Sequence, residues 1–85
     1  MLDSTLKLGE MTKGFKGRVT GIEAKKNEQD NHMSDHLREL GFSEGLSVEL
    51  LHHSPFGRDP IAVKIGSMTI ALRRKQANHI IVETV

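Results

Sequence analysis

Apolar residues recur along this chain in two rhythms, and the change from one to the other falls at a glycine. Met33, Leu37 and Leu40 stand at i, i+4 and i+7, which places them on one face of a helix predicted over 31–40. Gly41 follows, at the point where a helix most easily ends in a left-handed residue. Phe42, the residue beyond that cap, is predicted to fold back onto Leu37. Past the Ser43-Glu44-Gly45 turn the period becomes two. Leu46, Val48 and Leu50 then face one way and Ser47 and Glu49 the other, as in a strand running to about His53.

The same alternation appears in three other places. Residues 15–22 read as a first strand with Phe15 and Val19 on one face, and Ile22 needs a bulge near Gly21 to turn inward. Ile61 to Ile65 and Met68 to Leu72 alternate on either side of Gly66-Ser67, a hairpin signal whose inward set is Ile61, Val63, Ile65, Met68, Ile70 and Leu72. His79 to Val82 reads as a last strand. Leu6, Leu8 and Met11 form a short arm or turn closing one end of the core, and Arg73 to Asn78 one helical turn. Between the elements, 23–31 is a polar connector with Asp30 or Asn31 as helix cap. The segment Ser54-Pro55-Phe56-Gly57-Arg58-Asp59-Pro60 is a loop, with Pro60 at the entry of the next strand. Five short strands around one small apolar set predict a partly open barrel.

Composition narrows the function. The 85 residues are expected to form a single domain with a thin core, burying about 60–65% of the surface of the unfolded chain. There is no cysteine, hence no disulfide, thiolate nucleophile or cysteine-held zinc, and a cytoplasmic location is expected. The first residues lack the apolar run of a signal peptide, and no stretch is long and apolar enough to span a bilayer. Twelve basic against eleven acidic side chains give a net charge of +1, unlike the footprint of a dedicated nucleic-acid binder. With three Phe and no Trp or Tyr, the chain lacks the stacking platforms of a single-strand binder and the aromatic groove of a proline-rich-peptide reader.

No nucleophile–base pair, phosphate-cradling glycine loop or close carboxylate pair stands out, so an enzyme is not expected. Two stretches are candidates for docking. Around the helix end, Arg38, Glu39, Ser43 and Glu44 are the polar neighbours of residues that belong in the core. In the proline-bounded loop, Phe56 and Arg58 sit at the tip, two residue types enriched at interface hot spots, and the alternative is that Phe56 tucks over the end of the barrel. His32 and His36 share a helix face at i, i+4, the spacing that lets two imidazoles reach one cation, with Asp35 and Glu39 close by. Two histidines do not close a structural site. A bound Zn or Fe(II) would need ligands from a second molecule, and the plainer reading is a solvated helix face. Likewise Arg73-Arg74-Lys75 reads most simply as a solvated turn.

Four segments resemble the FeoA family of small SH3-like proteins of bacterial ferrous iron uptake: Leu37 to Val48, Pro55-Phe56-Gly57 with Asp59-Pro60, Ala71-Leu72-Arg73, and Ala77 with Ile80 and Val82. Gly14, Gly17 and Val19 extend the match towards the start. Arg58 departs from it, standing between the glycine and the aspartate of the loop pattern. The resemblance implies a mainly β fold, a small five-stranded SH3-like barrel with one short α-helix inserted after the first strand. It further implies a cytoplasmic accessory protein acting with FeoB, the ferrous iron transporter that carries a cytosolic GTP-binding part. No cofactor is required on this reading, the membrane is met only through the partner, nucleic acid is not a partner, and self-association is weak or metal-bridged. A sharper version makes Arg58 an arginine finger for that partner's GTP. The rival reading is a small β-barrel that binds nucleic acid or another protein and has no connection with iron.

Overall fold

The computed structural model describes residues 5–23 and 28–85. Its elements run β1 (Leu6–Lys7), a 3₁₀ turn (Leu8–Glu10), β2 (Lys16–Ile22), α1 (Glu28–Leu40), β3 (Ser47–His53), β4 (Ile61–Ile65), β5 (Met68–Leu72), α2 (Arg74–Ala77) and β6 (Ile80–Thr84). All six strands join one antiparallel sheet in the order β1-β6-β2-β3-β4-β5. Among the described residues no hydrogen-bonded pairing joins β5 to β1, so the barrel stays open.

Three expectations are corrected. There are six strands, not five, because the Leu6–Lys7 arm pairs with Ile81 and Val82 of β6. The helix therefore follows the second strand and not the first. It also begins at Glu28, which puts Asp30 and Asn31 inside it and not at its cap. Its opening residues, Glu28-Gln29-Asp30-Asn31, are all polar, so the apolar rhythm that revealed the helix starts a turn late. The rest of the expected connector, residues 24–27, lies outside the described residues.

The core follows from the alternation. Val19, Val48, Leu50, Ile61, Val63, Ile65, Leu72, Ile80 and Val82 point inward from five strands, and Leu8, Leu37, Phe42 and Ala77 close the cluster. Met68 was expected among them but is 49% exposed. It has inward parity but stands beside the β4–β5 turn, at the opposite end of the strand from the buried Leu72. Ile70 is half-buried against the core. The expected bulge in β2 is present as a register shift between Val19 and Gly21 against β6, and β3 carries another between Leu50 and His52.

The helix end forms as its residues dictate. Gly41 has φ +117°, its N–H donates to the Arg38 carbonyl at 3.0 Å, and the Phe42 N–H donates to the Leu37 carbonyl at 3.1 Å. These two bonds satisfy carbonyls that a helix end otherwise leaves orphaned. Leu37 and Phe42 are both essentially fully buried, and Leu40 is half-buried against the same cluster. The chain then enters β3 through Gly45, whose N–H donates to the Val19 carbonyl at 2.7 Å.

Candidate docking surface

The two docking stretches lie at opposite ends of β4. Gly41 sits against the side chains of Met68 and Ile65, beside the β4–β5 turn. The 54–60 loop instead leads into Ile61 at the other end of that strand, where the Ser54 N–H donates to the Pro60 carbonyl at 3.0 Å. A five-residue strand at about 3.3 Å per residue separates them by roughly 13 Å. They do not form one patch.

At the helix end, Arg38, Glu39, Ser43 and Glu44 are all exposed. Arg38 and Glu44 are occupied with each other: both guanidinium Nη atoms donate to the two carboxylate oxygens at 3.0 Å, a fork-on-fork pair. The hydrogen bond from Arg38, with help from Glu44's own backbone N–H, lowers the Glu44 carboxyl from its ordinary 4.5 to about 2. The same bond raises Arg38, which also feels Asp35. His32 and His36 are exposed on α1, and among the described residues no three His, Asp or Glu side chains come together as a metal site. Asp35 and Glu39 therefore do not complete a site with the two histidines.

The loop end is built differently. Its organiser is Arg74, which the sequence reading assigned to a solvated basic turn. That side chain is half-buried, and only its neighbours Arg73 and Lys75 are exposed. Its Nη1 donates to the carbonyls of Gly9 at 3.1 Å and Met11 at 2.8 Å, and its Nε donates to the Arg58 carbonyl at 2.8 Å. One guanidinium thus ties the 3₁₀ turn, the loop and α2 together at the open side of the barrel. The Asp59 carboxylate accepts from the Arg74 backbone N–H at 3.0 Å and so caps α2 from a distant loop. Arg73, at the cap position, has no side-chain acceptor to offer, although its own N–H donates to Gln76 Oε1 at 3.0 Å. α2 lies so close to the 3₁₀ turn that a Cβ on Gly9 would collide with the Arg74 carbonyl and the Asn78 side chain.

Phe56 projects from this framework at 85% exposure, its N–H donating to Ser54 Oγ at 3.2 Å. Arg58 is exposed, with a backbone φ of +60°. Beside them lies a groove of about 300 Å³ lined by the 3₁₀ turn and the residues after it, His53, Gly57, Arg58 and Arg74. His53 donates through Nδ1 to the Ser54 carbonyl at 3.0 Å. A second groove of about 310 Å³ lies over β2, β3 and β4. There Lys16 opposes Glu49 and Glu49 opposes Lys64 across the strands, so one carboxylate stands between two lysines.

The FeoA domain model matches residues 6–84. The chain belongs to the FeoA family. Stenotrophomonas maltophilia FeoA, a prokaryotic SH3 domain protein crystallised in complex with zinc, is similar at 28% identity, TM-score 0.77, covering 92% of this chain and 89% of that one. The iron(II) transport protein A of Clostridium thermocellum shares 34% identity at TM-score 0.77, over 94% of this chain and 46% of its own. A manganese-dependent transcriptional repressor matches all of this chain with 44% of its own at TM-score 0.79 and 24% identity, a likeness of fold alone. Among curated proteins no sequence matches. This FeoA-family chain therefore carries an SH3-like fold, mainly β, with an open six-stranded sheet.

Proposed function

We propose that this chain is an accessory domain of ferrous iron transport that docks on the cytosolic GTP-binding part of a FeoB-type transporter, and assembles or regulates it. The family match over residues 6–84 carries this reading. S. maltophilia FeoA, similar over most of its length, is described as a candidate ferrous iron transport activating factor. The surface supports a binding role more than a catalytic one. No helix among the described residues is long and apolar enough to cross a membrane, and Phe56 and Arg58 stand exposed on a framework that holds them in place. We place docking at the loop end, because Arg38 and Glu44 at the helix end already satisfy each other.

A pull-down of the purified chain against the cytosolic part of the transporter, with labelled RNA as control, tests the role. Retention of the transporter and not of RNA is expected. Retention of RNA alone would favour the nucleic-acid reading. A secondary reading, a zinc bridge between two copies through His32 and His36, is favoured by their exposure at i, i+4 on α1. Calorimetry and sedimentation with zinc on the parent and His36→Ala chains check it, and an unchanged isotherm for the variant would remove it.

A further inference from the structure

We propose that the groove beside Phe56 receives an extended acidic segment of a partner protein, which specifies the partner chemistry of the docking role above and rests on it. Lys13, Arg58 and Arg74 line the groove against one carboxylate, Glu10. Among the described residues neither Lys13 nor Arg58 has an ion-pair partner, in contrast to the matched Arg38–Glu44 and Arg18–Glu83 pairs elsewhere. The lining therefore carries an excess of positive charge where the surface is concave, which favours an anionic occupant. Phe56, exposed and next in the chain to the lining residue Gly57, offers an apolar contact just outside the groove.

The main chain at Arg58 is fixed in place. A non-glycine residue at φ +60° is held in a conformation disfavoured for L-residues, and the surroundings over-determine it. Arg74 Nε binds the Arg58 carbonyl, and the next residue, Asp59, is fastened to the α2 N-terminus. Holding this backbone in place beforehand spares the cost of ordering the loop when the guanidinium engages a carboxylate. A nucleic-acid strand fits less well. It would meet Glu10, and it would find one exposed aromatic where stacking calls for several.

The test is fluorescence polarisation of the full chain with three labelled probes: a short Glu/Asp peptide around one Leu, its Lys-substituted counterpart, and an oligouridylate of similar length. The acidic peptide alone is expected to bind. Arg58→Glu should weaken it roughly tenfold or more, and Phe56→Ala about threefold to tenfold. Lys64→Ala, outside the groove, should leave it unchanged, with circular dichroism confirming that each variant is folded. Wild-type affinity in Arg58→Glu, or displacement of the peptide by oligouridylate, overturns the inference. An Arg58→Glu chain that still binds the transporter's cytosolic part as tightly as the parent removes the groove and leaves the accessory role standing. A parent chain that binds the acidic peptide but ignores the transporter supports the groove and removes the role.

Discussion

At the helix end of the barrel, cation and anion are paired with each other and the apolar residues of the cap are buried. At the loop end, the aromatic and the arginine are left outside, and the fastening is done by a guanidinium bound to backbone carbonyls. The first end is held by burial and local capping. The second is held by long-range polar bonds that keep a surface in shape without using up its side chains. In a chain with a thin core, cohesion and availability are thus assigned to different places.

Substitutions should separate the two ends. The largest effect is expected at Phe42→Ala, a loss of about 3–5 kcal/mol in urea denaturation, because it opens a cavity under the helix cap. Arg74→Ala should cost about 2–4 kcal/mol, since three carbonyls lose a charged donor. Arg74→Lys should recover less than half of that, because a single ammonium nitrogen cannot span acceptors that Nε and Nη1 reach separately. If Arg74→Ala proves as stable as the parent, the loop end is not held as described. Asp59→Ala removes only the cap of α2 and should cost about 1 kcal/mol, with faster amide exchange at Arg74. Phe56→Ser should leave stability within about 0.5 kcal/mol, and a larger loss would mean that the loop tip belongs to the core after all.

The last prediction concerns acid. The Glu44 carboxyl is lowered in the folded chain, so the stability it contributes is complete above its ordinary 4.5 and is lost as pH falls towards about 2. Carboxyl NMR should follow Glu44 titrating near the lower value, and Arg38→Ala should return it towards the ordinary one.

The helix cap and the β4–β5 hairpin were legible in the sequence because their signals are local: a glycine between apolar neighbours, and Gly66-Ser67 between two alternating runs. Arg74 was not. Its acceptors are the backbone carbonyls of Gly9, Met11 and Arg58, which carry no side-chain signature, and two of them lie more than sixty residues away. Nothing in an Arg-Arg-Lys run tells which member turns inward. Met68 shows the complementary limit, since parity gives the face of a strand but not how far along it the core extends.

The position of β6 between β1 and β2 has a kinetic consequence. Leu6 finds its partner Val82 only when nearly the whole chain has been gathered into one loop. The sheet therefore cannot assemble in the order in which its strands are written, and the rate of refolding, more than the final stability, is set by how soon the last strand arrives.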